Sequence, residues 1–146
     1  MNSKLLKSVL IVDDDELEFF IAKKILESTN GFSSIYNVTN GKEALELFKN
    51  FDESCQKYTD MFPPDLILLD INMPAMNGFE FLDAYQNLIP THSNYPTPIV
   101  IMFTSSDEES DKAKSGEYPV VKDYLVKPLS YEKALKLVEE FGKENA

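Results

Sequence analysis

The sequence predicts an α/β fold, one parallel sheet with helices on both faces, and three observations carry that reading. Short apolar runs recur along the chain: Val9-Leu10-Ile11-Val12, Leu66-Ile67-Leu68-Leu69, Ile99-Val100-Ile101-Met102-Phe103 and Tyr124-Leu125-Val126. Stretches with helical spacing of apolar residues separate them. Each run ends in polar residues: Asp13-Asp14-Asp15, then Asp70, then Thr104, then Lys127-Pro128. Uninterrupted apolar runs of this kind read as buried parallel strands, and right-handed crossovers between them place helices on both sides of the sheet.

The first strand covers about 8–12. The helix after it opens near Asp15, with Leu17, Phe20, Ile21 and Ile25 as its apolar face, and Asn30-Gly31 stops it. The second strand, 34–39, alternates like an edge strand. Asn40 followed by Glu43 resembles a capping box and opens a helix striped by Ala44, Leu47, Phe48 and Phe51. The polar segment 52–62 extends that helix or forms a long loop, closed by Pro63-Pro64. After the strand at 66–69, a loop over 70–77 contains Met73-Pro74 and leads to Gly78. The next helix carries Phe79, Leu82, Tyr85, Leu88 and Ile89. Three prolines and no helical period make 90–98 a surface loop. Beyond the strand at 99–103, a charged helix over roughly 107–116 has almost no large apolar residue, so it should be thinly packed and mobile. The last strand is 124–126. Ser130 caps a final helix whose buried side is Ala134, Leu135, Val138 and Phe141.

Length and charge narrow the function. A chain of 146 residues favours one domain, here 1–146, with no second composition regime, repeat or linker. Lys plus Arg is 14 and Asp plus Glu is 25, a net charge of −11 that opposes direct contact with nucleic acid or anionic lipid. No apolar stretch nears the ~20 residues that span a bilayer. Lys4 and Lys7 precede an apolar run too short for an export signal, which needs roughly 7–15 apolar residues. The single Cys55 permits no intrachain disulfide and suits a reducing compartment. A cytoplasmic location is expected.

In open parallel sheets the ligand site lies beyond the carboxyl ends of the strands. The sequence therefore gathers acids, a hydroxyl and an amine at one edge. Asp13-Asp14 and Asp70 end strands that should be neighbours at the sheet centre. Converging carboxylates repel unless a cation sits among them, and Mg²⁺ accepts such oxygen ligands. The backbone carbonyl of Asn72 could be a further ligand. Asp15 and Glu16 are explained by capping the first helix and favouring its dipole. Lys127 could pair with Asp70 and contact phosphate oxygens, and Thr104 could hydrogen-bond one. Tyr124 is either a half-buried aromatic or a ring that changes exposure as the neighbouring loop moves. Ser105 and Ser106 keep that loop small and polar.

Together, Val12-Asp13-Asp14, Leu69-Asp70-Ile71-Asn72-Met73-Pro74 with Gly78, Thr104-Ser105, and Tyr124-Leu125-Val126-Lys127-Pro128 resemble the receiver domain of two-component response regulators. The resemblance covers about 8–141. It implies a flavodoxin-like (βα)5 three-layer sandwich with a five-stranded parallel sheet in order 2-1-3-4-5. It implies that Asp70 is the phosphoacceptor, that Asp13 and Asp14 hold Mg²⁺ with Asp70, and that Thr104 and Lys127 contact the phosphoryl group. Tyr124 would be the switch partner of Thr104. The implied partners are a histidine kinase or histidine phosphotransfer protein and a downstream protein. The segments 52–62 and 90–98 are longer than in a typical receiver and could form partner surfaces. With five residues after Phe141, a stand-alone receiver without an output domain is expected, a switch rather than an enzyme acting on external substrates. Two other readings compete. One is a phosphorylation-independent pseudo-receiver. The other is an Mg²⁺-dependent phosphatase of the haloacid dehalogenase kind, which would need an aspartate where Asn72 stands.

Overall fold

The computed structural model of the chain describes residues 6–88 and 97–142. Five strands, β1 (Leu6–Val12), β2 (Phe32–Val38), β3 (Leu66–Leu69), β4 (Ile99–Thr104) and β5 (Val121–Val126), form one sheet in the order β2-β1-β3-β4-β5. Every neighbouring pair is parallel. Six helices accompany them: α1 (Glu16–Ser28), α2 (Gly41–Lys49), α3 (Phe51–Lys57), α4 (Gly78–Gln86), α5 (Glu109–Ser115) and α6 (Tyr131–Phe141). This is the flavodoxin-like three-layer arrangement expected from the alternation and the resemblance.

The continuous apolar runs of β1 and β3 follow from burial on both faces: Val9 to Val12 and Leu66 to Leu69 have no exposed surface. One set of strand side chains, Leu10, Val12, Ile67, Leu69, Val100 and Met102, packs with residues of α2, α3 and α4. The other, Val9, Ile11, Leu66, Leu68, Ile101 and Phe103, packs with Ala22 and Leu26 of α1 and Ala134 and Leu137 of α6. Strand β2 lies at the sheet edge as expected, but its residues are nearly all half-buried rather than alternately buried and exposed.

The structure corrects three of the helix readings. The buried side of α1 is Ala22 and Leu26, with Phe19 and Ile25 partly covered, whereas Leu17, Phe20 and Ile21 are 66%, 55% and 41% exposed. Helix α1 is apolar on more than one side, so periodicity offers two candidate faces. The side led by small Ala22 is the one set against the sheet. The buried side of α6 is Ala134 and Leu137; Leu135, Val138 and Phe141 are only partly covered. The segment 52–62 neither prolongs α2 nor forms a loop throughout. A break at Asn50 (φ −102°, ψ 52°) starts the separate helix α3.

This segment is built into the core. Phe62 is buried against Phe48 and Phe51, with ring centroids 5.0 and 5.1 Å apart. The Met61 carbonyl accepts hydrogen bonds from the Ser8 hydroxyl and, at 3.1 Å, from the Tyr36 hydroxyl. Asn30 ends α1 in the left-handed region (φ 58°). Gly31 instead makes room for α6, since a Cβ there would lie 2.4 Å from Val138. Ile89 and most of the loop expected at 90–98 lie outside the described residues.

Candidate functional site

Strand order alone brings the key side chains together. β1 and β3 are hydrogen-bonded neighbours with Val12 opposite Leu69, so Asp13, Asp14 and Asp70 emerge side by side. Oxygen atoms of the three carboxylates lie within 4.8 Å of one another. Asp13 and Asp70 are buried and Asp14 is exposed. Lys127 leaves the end of β5, where its N–H donates to the Thr104 carbonyl at 2.8 Å. Its stem runs beside Phe103, with Nζ 5.5 Å from that ring's centroid. The ammonium then bridges two acids, donating to Asp13 Oδ2 at 2.6 Å and Asp70 Oδ2 at 3.3 Å.

The other carboxylate oxygens are also held. Asp13 Oδ1 accepts from the Asp15 N–H at 2.9 Å, and Asp70 Oδ1 from the Ile71 N–H at 2.7 Å. Asp15 caps α1, accepting from the N–H groups of Leu17 and Glu18, as read from the sequence. Below Asp13, the Asn37 amide donates to the carbonyls of Ile11, Asp13 and Val38 and fastens β2 to the end of β1. The sequence reading missed Asn37, because nothing in strand periodicity marks an edge residue as a clamp.

The electrostatics reflect crowding of like charge in a buried place. Burial pushes the Asp13 carboxyl up, the nearby Asp70 charge adds to that, and the hydrogen bond from Lys127 pulls against both. Burial would lower the Lys127 ammonium. The Asp13 hydrogen bond and the charges of both acids outweigh it and hold the ammonium above its ordinary value. One ammonium pairs with two of the three acids, and the donor set is all oxygen. Such a site suits a hard divalent ion.

The remaining candidates lie around this centre. Thr104, fully buried at the end of β4, accepts at its hydroxyl from the Ser106 N–H at 3.3 Å. Tyr124 is half-buried, and its hydroxyl donates to the Ser106 carbonyl at 2.9 Å. Asn72 is exposed on the loop after Asp70. That loop is pinned by Gly78, whose N–H donates to the Ile71 carbonyl at 2.9 Å; a Cβ on Gly78 would lie 2.3 Å from the Asp70 carbonyl. Asn77 and Glu80 complete a capping box at the start of α4. The capping box expected at Asn40 and Glu43 is only half formed: Asn40 accepts from the Glu43 N–H, but the Glu43 carboxylate turns to Thr39. The peptide between Lys127 and Pro128 is cis.

Comparison with known proteins gives one answer. Residues 9–139 match the model of the response regulator receiver domain. Protein PilH of Pseudomonas aeruginosa is 31% identical over 130 residues, 89% of this chain and 93% of PilH. A probable C4-dicarboxylate response regulator, DctR, from Priestia megaterium is 27% identical over 92% of this chain, which spans 51% of that longer protein. The crystal structure of a two-component response regulator from Cytophaga hutchinsonii superposes with a TM-score of 0.79 at 29% identity, covering 94% of this chain and 98% of that one. The Mn²⁺-bound form of response regulator Rcp1 superposes with a TM-score of 0.67 at 26% identity, covering 96% of each chain. Among the described residues, no helix is long and apolar enough to cross a membrane. With its sheet order, its acids at the central strand ends and the family match over 9–139, this chain belongs to the response regulator receiver domains and is a signalling protein of the two-component kind.

Proposed function

We propose that Asp70 accepts a phosphoryl group from a phosphohistidine of a histidine kinase or histidine phosphotransfer protein, and that the phosphorylated chain changes its affinity for a downstream protein. One observation carries this reading: three carboxylates within 4.8 Å of one another, two of them bridged by a buried ammonium. Asp13, Asp14 and Asp70 would hold Mg²⁺, with the Asn72 backbone carbonyl as a further ligand. The bound ion supplies neutralising charge for the oxygens of the transferring phosphoryl group.

The chain's own residues do the rest. A carboxylate oxygen of Asp70 attacks phosphorus, the bond from phosphorus to the donor imidazole nitrogen breaks, and its electron pair returns to that nitrogen. Lys127, already against Asp70, stays paired with the new charge. The phosphoryl group adds about −1.5 to −2 charge. The Thr104 hydroxyl turns to one of its oxygens, the loop after Thr104 moves inward, and Tyr124 follows. Coupling of this size is typically about 1–3 kcal/mol, so the unphosphorylated chain retains weak affinity for its partner. The exposed Leu17, Phe20 and Ile21 lie on the turns of α1 that follow Asp13 to Asp15, an apolar rim on which a donor protein can seat while reaching Asp70.

Incubation with acetyl phosphate and Mg²⁺, followed by intact mass, tests the reading. A gain of one phosphoryl group that is lost in Asp70→Asn is expected. No gain under any condition favours a binding module that works without phosphorylation, and steady turnover of aryl phosphates favours a phosphatase.

A further inference from the structure

We propose that Asp111 is a positioning residue of the phosphoryl switch. By holding the Ser106 hydroxyl it ties the loop after Thr104 to the first turn of α5, so that movement of the loop is carried into the helix. The inference rests on the reading of Asp70 as phosphoacceptor.

Ser106 is a junction at which every polar group is engaged. Its N–H donates to Thr104 Oγ1 at 3.3 Å and its carbonyl accepts from the Tyr124 hydroxyl at 2.9 Å. Its own hydroxyl donates to Asp111 Oδ2 at 2.5 Å and accepts from the Glu108 N–H at 3.3 Å. One residue thus meets the end of β4, the ring on β5 and the start of α5.

Helix α5 has little else to hold that end. Its only buried residue is Ser115, in its last turn, and its capping residue Glu108 supplies no side-chain hydrogen bond. The Ser106 hydroxyl takes the capping role from outside the helix. The Lys112–Asp107 pair is exposed on both partners, and such pairs contribute little. A half-buried hydroxyl-to-carboxylate bond belongs to the stronger class.

The other end of α5 is fixed differently. Lys114 Nζ lies 4.6 Å from the Phe79 ring centroid on α4. Just beyond the helix, Tyr118 stacks on Phe79 at 6.1 Å and donates its hydroxyl to Asp83 at 2.7 Å. Helix α5 is therefore anchored on α4 at its C-terminal end. At its N-terminal end it is joined to the switch loop through the Ser106–Asp111 bond, with the exposed Lys112–Asp107 pair beside it. When Thr104 draws the loop inward, Ser106 moves with it, and Asp111 either follows or loses its donor. Both outcomes alter the first turn of α5, while the C-terminal anchor stays in place.

The experiment follows the backbone amides of 108–112 by NMR in the full chain, before and after labelling with acetyl phosphate and Mg²⁺, with intact mass recording the label. In Asp111→Ala, label uptake should match wild type, since Asp111 does not touch Asp70. Amide exchange over 108–112 in the unlabelled chain should rise about fivefold, and the labelling-dependent shifts of α5 should disappear. Asp111→Asn keeps an acceptor oxygen and should restore them. Ser106→Ala should reproduce Asp111→Ala, and the double variant should add nothing further. An α5 that responds to labelling in Asp111→Ala as in wild type overturns the proposal. So does an Asp111→Asn variant as deficient as the alanine, or additive effects of the two single changes. If the wild-type chain takes up no label, the reading of Asp70 fails and the coupling with it. A labelled chain whose α5 ignores Asp111 sinks the coupling alone.

Discussion

Helices α4 and α5 each follow a strand that ends in a site residue, Asp70 before α4 and Thr104 before α5, yet they are held by different physics. Helix α4 buries Gly78, Phe79, Phe81, Leu82 and Tyr85, and its N-terminus is closed by a full capping box. Helix α5 buries only Ser115 and borrows its cap from Ser106. Apolar packing is stiff and falls off steeply with displacement, whereas a few polar tethers at a surface can be remade at small cost. The Asp70 side of the site therefore sits on a fixed platform, and the Thr104 side sits beside an element that can respond.

The comparison is broken most severely by emptying the platform. Phe81 is fully buried and its ring lies 5.2 Å from that of Tyr85. Phe81→Ala should lower unfolding free energy by about 3–5 kcal/mol in urea titration, whereas Lys114→Ala on α5 should shift the midpoint only slightly. Next comes Gly78→Ala. The new Cβ would press on the backbone at Asp70, and a shift of the loop should cost about 1–3 kcal/mol. Because the strain falls at Asp70, the proposed labelling by acetyl phosphate should drop as well; a variant that loses stability but labels normally would separate the platform from the site. Asn77→Ala removes one half of the α4 capping box and should cost about 1 kcal/mol by thermal or urea unfolding.

The smallest effect concerns the seam between the two helices. Burial and the Asp83 hydrogen bond push the Tyr118 hydroxyl up to about 12. A folded-state value above the ordinary 10 means that the folded chain keeps this proton longer than the unfolded one. The contribution of the contact is complete below about pH 10 and is lost as pH rises towards 12. Urea midpoints measured from pH 8 to 11.5 should fall less steeply in Tyr118→Phe than in wild type.

Much of this was legible in the residues, and the exceptions share a cause. The strand ends were readable because a buried parallel strand is an unbroken apolar run and the first polar residue after it marks the site edge. Asp13, Asp14, Asp70 and Lys127 meet as their positions imply. The thin packing of α5 was readable from its lack of large apolar side chains. The buried face of α1 was not, because Leu17, Phe19, Phe20, Ile21, Ala22, Ile25 and Leu26 offer two overlapping faces and tertiary packing chooses between them. Leu137 on α6 was passed over in favour of Leu135 and Val138 for the same reason. The bond from Ser106 to Asp111 depends on the path of a short loop, and no periodic signal encodes it. Asn77 and Glu80 carry the same spacing as Asn40 and Glu43, so their capping box could have been found.

The ammonium that joins Asp13 to Asp70 has a consequence for how the chain matures. Two of the three clustered negative charges already have an internal counter-ion, and the third faces water. Folding is therefore expected to need no divalent ion, and dialysis against a chelator should leave the architecture standing. Under the proposed role of Mg²⁺, metal supply would govern when the switch can be thrown, not whether the protein exists to be switched.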